Sequence, residues 1–386
     1  MSNRKKDWCN IILMGCLLAA GLIACLFHPQ KEVSVSERRT LHSFPELSLK
    51  TIYTAKGTES FMDRFEPYVA DQFPCREQFR TLYSAFSLYA LQKKEVNDIY
   101  YAEDHILKTD PEIRENSVSW ALNRMKYIDE KYLQNSHVYF SIIPDKNDYL
   151  SEHEQVPYLD FDAFEAGFRE KTDAFSEYID LKDELELDDY YRTDLHWRQE
   201  KLLPVVNKLE LAMGNYEEKT GKAKTGNGYP YGQFEEKEAD VPFYGVYYGQ
   251  GALPVAPDKL SYLYAGYMDG CVVTCYDTGK AEAMPMYDES ALKGMDPYEL
   301  FLSGSRALIT IENPDCGNDR ELVLFRDSFG SSIAPLLAQA YCKVTLVDIR
   351  YIRSDVLGRF VDFDGADVLF LYSTQVLNHC DGQFLQ

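Results

Sequence analysis

An acid, an imidazole and a hydroxyl are the minimum set for acyl transfer through a serine, and two short segments of this chain supply them. Tyr190-Tyr191-Arg192-Thr193-Asp194-Leu195-His196-Trp197 places a carboxylate and an imidazole two residues apart. Leu322-Val323-Leu324-Phe325-Arg326-Asp327-Ser328-Phe329-Gly330 reads as a buried strand running into a turn with a serine on it, followed by a helix. Residues two apart point nearly opposite ways on a helix. In an extended or turn segment Asp194 and His196 share one side and reach a common site. Asp194 is then the orienting acid, His196 the base and Ser328 the nucleophile. A helix starting just after Ser328 offers free backbone N–H groups and the positive end of its dipole to an oxyanion. Gly330 lets the backbone approach a substrate closely.

Each segment also has a plainer reading. Asp and Ser are both preferred N-caps, so Asp327-Ser328 serves equally well to start a helix. The Asp-x-His segment could be a solvated turn with a structural histidine, the ring shielded from water by Trp197. Among the seven histidines, His379 in Leu377-Asn378-His379-Cys380 competes for the base, with Asp381 as its near carboxylate.

The elements that must position these residues alternate most cleanly near the C-terminus. Residues 322–325, 344–347 and 368–372 read as short, continuously apolar strands, separated by helices over 332–340 and 354–360. Pro335 falls in the first turn of the former helix. Such strands indicate a parallel sheet covered on both faces. Sites in open α/β sheets lie beyond the carboxyl ends of the strands, which is where Ser328 falls. Upstream, apolar spacing predicts amphipathic helices from residue 59 and over 76–92, and a hairpin over 99–108. Further helices are expected over 120–132 and 161–178, and a strand over 137–143 closed by Pro144. A helix over 197–213 should be kinked by Pro204. Residues 215–250, rich in Gly, Lys, Glu and Tyr, read as a loop or flap, 262–274 as strands and 296–303 as a short helix.

Residues 9–27 are almost uninterrupted apolar, long enough to cross a bilayer if slightly stretched. Arg4, Lys5 and Lys6 leave a short tail, 1–8, in the cytoplasm. That arrangement makes 28–57 a linker, with Pro29, Pro45 and Gly57, and 58–386 one extracytoplasmic domain of a single-pass cell-membrane protein. Two other fates fit the same segment: cleavage as a signal peptide, or lipidation at Cys25, since Leu22-Ile23-Ala24-Cys25 resembles a lipobox. The net charge of −22 and pI near 4.8 argue against nucleic acid and other polyanions as partners. Cys271-x-x-x-Cys275 lies in a Val/Thr run with no accompanying Cys or His pair, so no metal is expected there. No motif asks for a cofactor.

Thr193-Asp194-Leu195-His196-Trp197 resembles the signature of the DHHW family of bacterial envelope proteins, named for Asp-His-His-Trp, with Leu195 standing where the second His would be. Arg326-Asp327-Ser328-Phe329-Gly330 and Val347-Asp348-Ile349-Arg350-Tyr351 resemble its later blocks. Glu37-Arg38-Arg39-Thr40-Leu41, Phe44-Pro45 and Asp71-Gln72-Phe73-Pro74-Cys75-Arg76 resemble its early ones, so the likeness runs from about residue 37 to 372. The family is similar to the alginate O-acetylation proteins AlgJ and AlgX. The resemblance therefore implies a three-layer, SGNH-hydrolase-like α/β fold with a mostly parallel sheet, here preceded by an N-terminal transmembrane helix. It gives Asp194, His196 and Ser328 the triad roles, and sets Arg350 and Trp197 on the substrate or oxyanion side. Arg326 takes the place of Gly in the Gly-Asp-Ser motif of SGNH hydrolases, where it either crowds the turn or points outward.

The implied function is that of a membrane-anchored O-acetyltransferase, or its accessory, acting on a cell-envelope polysaccharide. A serine outside the membrane has no access to cytosolic acetyl-CoA, so a membrane-bound O-acyltransferase would supply the acyl group. An acidic surface favours a neutral or cationic glycan. The alternatives are a carbohydrate acetylesterase with the same triad, in which water replaces the sugar, and a non-catalytic glycan-binding assembly protein.

Overall fold

The computed structural model of the chain describes residues 3–27, 29–48, 59–151, 156–214, 216–217, 222–223 and 234–380. Parts of the expected linker and of the expected loop over 215–250 lie outside these residues, as does the side chain of Cys25. The chain divides into two compact units: residues 1–97 with 248–255, and residues 98–247 with 256–386.

The smaller unit begins with the helix Asn3–Phe27. Among the described residues no helix is long and apolar enough to cross a membrane, so the span expected over 9–27 is not shown. Helix Phe61–Asp71 opens on a capping box, in which Ser60 Oγ accepts from the Asp63 N–H and the Asp63 carboxylate from the Ser60 N–H. Helix Arg76–Ala85 runs on into a wider turn, Phe86–Ala90. The two early sequence blocks meet in one ion-pair cluster: Arg76 binds Glu37 at 2.6 Å and Arg39 binds Asp71 at 2.5 Å.

The larger unit is built on an eight-stranded sheet. In chain order its strands are β1 His137–Ile143, β2 Glu177–Tyr178, β3 Val272–Cys275, β4 Glu282–Ala283, β5 Leu308–Glu312, β6 Glu321–Arg326, β7 Lys343–Val347 and β8 Asp367–Ser373. They lie side by side in the order β4-β3-β5-β7-β6-β8-β1-β2. From β7 to β2 neighbours run parallel; β5, β3 and β4 add an antiparallel margin. The chain steps from β6 out to β7 and then back across β6 to β8. This reversal opens a crevice at the carboxyl end of β6.

Alternation along the strands makes three layers. Leu322 and Leu324 face one side, packing with Val205, Val206 and Leu209 of helix Leu203–Ala212 and with Ile333, Leu336 and Leu337 of helix Phe329–Leu337. Val323 and Phe325 face the other, packing with Ala121, Met125 and Ile128 of helix Glu115–Tyr132 and with Phe164 and Phe168 of helix Phe161–Thr172. A strand buried on both faces explains why its sequence is apolar without a break.

Several boundaries differ from expectation. Pro204 sits in the first turn of Leu203–Ala212, where a missing N–H costs nothing, and starts that helix instead of kinking it. Helix 161–172 stops short, and Glu177–Tyr178 becomes an edge strand. Residues 235–243, expected in a loop, form a strand antiparallel to Asp258–Tyr264. The helix after Ser328 begins at Phe329, which leaves Pro335 inside it.

Arg326 neither crowds the turn nor points outward. It is 0% exposed, its guanidinium donating to the carbonyls of Asp327 at 3.2 Å and Arg306 at 3.3 Å and lying 3.6 Å from the Asp348 carboxylate. Its stem runs under Gly330, where an added Cβ would stand 2.5 Å from Arg326 Cβ and 2.9 Å from Cγ. The glycine therefore serves the arginine, not the close approach of a substrate. In a helix Gly→Ala ordinarily stabilises by about 1 kcal/mol; here overpacking should reverse the sign, and Gly330→Ala is expected to cost about 1–3 kcal/mol in urea unfolding. A Gly330→Ala chain as stable as the wild type would contradict this packing.

Candidate active site

Residues 190–197 form a tight turn. Tyr190 and Trp197 make an antiparallel bridge, and the Tyr191 N–H donates to the His196 carbonyl at 3.0 Å. Asp258 pins the turn, accepting from the Arg192 N–H at 3.1 Å, the Thr193 N–H at 2.8 Å and the Thr193 hydroxyl at 2.6 Å. Buried Lys146 donates to the carbonyls of Tyr191 at 3.0 Å and Asp194 at 2.7 Å. Burial pushes the Lys146 pKa down to about 8, against the pull of Asp145, Asp194 and Asp258.

Asp194 is 0% exposed. One carboxylate oxygen accepts the His196 N–H at 3.1 Å and faces His196 Nδ1 at 2.6 Å; the other accepts the Val246 N–H at 2.8 Å. A carboxylate only accepts, so Nδ1 carries the proton, and in the neutral ring Nε2 keeps its lone pair. That lone pair faces the Ser328 hydroxyl, with Nε2 and Oγ 2.7 Å apart. Tyr298 stacks on the imidazole, centroids 3.9 Å apart and planes 12° apart, and Phe329 closes the ring's flank at 4.8 Å. Burial holds the Tyr298 phenol well above its ordinary pKa, so it stays neutral while its hydroxyl donates to Ser332 Oγ at 2.9 Å.

The capping alternative fails at Ser328 and holds at Asp327. Ser328 has helical backbone angles and no capping hydrogen bond. Asp327 caps instead, accepting the Phe329 N–H at 3.0 Å and, with its other oxygen, the Ser373 N–H at 2.8 Å. From Leu322 to Gln339 every residue is buried except Ser328. The strand, turn and helix hide everything but the residue that bears the hydroxyl.

Two sequence expectations need correction. The N–H groups at the helix start are committed: Phe329 to the Asp327 carboxylate, Gly330 to the Asp327 carbonyl at 3.1 Å and Ser331 to the Ser328 carbonyl at 3.2 Å. Trp197 cannot face a substrate, being 0% exposed, with its indole N–H donated to Ser332 Oγ at 2.8 Å and its ring edge-on to Phe329. It braces the helix behind His196. Arg350 is clamped by Asp348 at 2.8 and 2.6 Å and stands on the wall of a neighbouring cavity. Burial opposes its charge, but Asp348 holds the guanidinium pKa above its ordinary range. His379 pairs with Asp110 instead of Ser328. Among the described residues no group of three or more His, Cys, Asp or Glu side chains could hold a metal ion.

Sequence reasoning missed Val246, Tyr298, Lys146 and Asp258. One signal was legible: the glycine of Tyr244-Gly245-Val246, in an otherwise bulky run. A Cβ at Gly245 would collide with the Thr193 carbonyl and with Asp194 Cβ. Gly245→Ala should therefore lower turnover as well as stability, because the new methyl pushes on the residue that orients His196; misplacement by about 1 Å can cost on the order of a hundredfold in rate. Kinetics and thermal melting of the same sample check this. Full turnover by a Gly245→Ala chain would contradict the contact.

No protein-family model and no curated protein matches the sequence. Solved structures are similar in fold. A DHHW family protein from Eubacterium siraeum superposes with a TM-score of 0.59 at 17% identity, over 76% of this chain and 97% of that one. Bacillus cereus PatB1, solved with a sulfonyl adduct, superposes with a TM-score of 0.57 at 18% identity, over 76% and 99%. The O-acetyltransferase domain of Pseudomonas putida AlgJ gives a TM-score of 0.43 at 11% identity, over 73% of this chain and 92% of that domain, too low to support an argument. The likeness to DHHW proteins expected from the motifs is borne out at the level of the fold.

Proposed function

We propose that the chain is a serine acyltransferase that moves acetyl groups onto a cell-envelope polysaccharide. One observation supports this above the rest: the only residue not buried between Leu322 and Gln339 is a serine whose Oγ lies 2.7 Å from an imidazole oriented by a buried carboxylate. In the proposed reaction Ser328 Oγ attacks the acetyl carbonyl while His196 Nε2 takes its proton. Asp194 stabilises the imidazolium that forms. Collapse of the tetrahedral intermediate breaks the ester bond, and the departing alcohol leaves with the proton from Nε2. An acceptor sugar hydroxyl then gives its proton to Nε2 and attacks the acetyl-serine; the serine recovers its proton as the acetyl group leaves. Water in the acceptor's place would make the same site an esterase.

The setting is proposed with the chemistry. The apolar run 9–27 behind Arg4, Lys5 and Lys6 suits an anchor in the cell membrane, with residues 58–386 outside. A membrane-bound O-acyltransferase would present the acyl group there. A net charge of −22 favours an uncharged or cationic glycan over a polyanion.

Ser328→Ala should abolish turnover of a chromogenic acetyl ester, with losses of order 10³- to 10⁶-fold, while circular dichroism stays native. His196→Ala should fall in the same class, and the double variant should be little worse than either, since the two act as a unit. Like PatB1, this chain is expected to take a sulfonyl adduct, at Ser328 and not in the Ser328→Ala variant. Wild-type turnover by a well-folded Ser328→Ala chain would replace the catalytic reading with the glycan-binding one.

A further inference from the structure

The sheet edge that carries Ser328 has a second feature. A cavity of about 280 Å³ opens at the carboxyl ends of β1 and β8, walled by Asp145 and Asn147 after β1, by Gln375 and Val376 after β8, and by Leu159 and Arg350. Much of its charge is matched without a ligand. Arg350 is held by Asp348, His379 by Asp110, and Asp148 by Lys182 at 3.4 Å. A charged ligand drawn to any of these groups would have to break its pair; Lys108, also on the wall, lies outside them.

What the wall still offers is acceptors. The Asp145 carboxylate is met by neutral donors, the Asn147 N–H at 3.0 Å and the Gln375 amide at 2.5 Å, and burial pushes its pKa up. Gln375 Nε2 also donates to the Tyr247 hydroxyl at 2.6 Å. Asn147 is 5% exposed, with Nδ2 donated to the Lys108 carbonyl at 2.8 Å and Oδ1 left without a partner in the protein. The complementary ligand donates several hydrogen bonds and carries no net charge, which is the chemistry of sugar hydroxyls. Leu159 and Val376 add an apolar strip suited to the C–H face of a pyranose.

The position connects this cavity to the serine. β6, β8 and β1 are adjacent, and at strand spacings of about 4.8 Å their ends put the cavity roughly 5–10 Å along the edge from Ser328. Its wall also touches the site's supports: Tyr247 follows Val246, whose N–H holds Asp194, and Ser373, just before this wall, donates to Asp327. We propose that the cavity is the acceptor subsite. It takes an uncharged pyranose one residue along an oligosaccharide from the sugar whose hydroxyl receives the acyl group. This rests on the acyl-transfer function proposed above.

Calorimetric titration tests it on the full chain carrying Ser328→Ala, so that nothing turns over. The probes are cellotetraose, the tetramer of N-acetylglucosamine, the cationic glucosamine tetramer and the matching monosaccharides. A neutral tetrasaccharide should bind, and its monosaccharide much more weakly. Adding Asp145→Asn, which keeps the side chain's shape and the turn's cap, should weaken binding by about tenfold or more. Val376→Trp, which fills the cavity, should abolish it, with melting temperatures as the folding control. Three results overturn the proposal: no neutral tetrasaccharide binds, only the cationic one binds, or both variants bind like their parent. Aryl acetate turnover by the wild-type chain separates the two ideas. Turnover without oligosaccharide binding sinks the subsite alone; binding without turnover sinks acyl transfer and leaves the cavity a sugar site.

Discussion

A carboxylate shut away from water has to be met by donors on every side, and Asp194 is such a group. Its oxygens take the His196 N–H, His196 Nδ1 and the Val246 N–H. These contacts form only if the turn 190–197 and the backbone at Val246, from separate stretches of sequence, arrive together. Asp258 fixes the turn by three hydrogen bonds and Lys146 threads its ammonium into the turn's carbonyls. Removing one partner of a buried ionic network typically costs about 3–5 kcal/mol. The imidazole inherits its direction from this arrangement, which sets Nε2 2.7 Å from the Ser328 hydroxyl.

The sheet supplies the other half. Strand β6 delivers Ser328 to the crevice while burying everything around it, and Arg326 and Asp327 do the local work. Arg326 fills the space beneath the turn that a small residue would leave empty, and Gly330 makes room for its stem. Asp327 ties the turn to β8 through the Ser373 N–H and caps the helix through the Phe329 N–H. That cap occupies backbone donors which an oxyanion would otherwise use. The positive end of the helix still points at the turn, so its field remains where its hydrogen bonds do not.

What the sequence revealed was whatever lay within one short segment. Asp194 and His196 are two residues apart, and a turn fixes their relation; Ser328 follows an unmistakable apolar strand. The parallel sheet was legible because strands buried on both faces are apolar without alternation. Val246 and Tyr298 were not legible, because they reach the site through tertiary packing alone, one by a backbone N–H that every residue but proline carries. Residues 235–243 looked like a loop because the strand opens on Glu235-Glu236-Lys237-Glu238 and buries only Ala239 and Phe243, too few apolar positions to show an alternation. Trp197 misled because an aromatic beside a histidine suggests a pocket wall, whereas its indole N–H found a buried partner in Ser332. Arg350 lay on the expected edge of the sheet, but at a neighbouring cavity.

The most direct test of the central claim is to trap the acyl-enzyme. The full chain, mixed briefly with an activated acetyl ester and quenched in acid, would be digested and its acetylated peptide sequenced by mass spectrometry. The acetyl group should sit on Ser328 and disappear from that peptide when a sugar acceptor is added before the quench. A chain that never acetylates Ser328, or that carries the label on another residue at the same rate in the Ser328→Ala variant, would contradict the account.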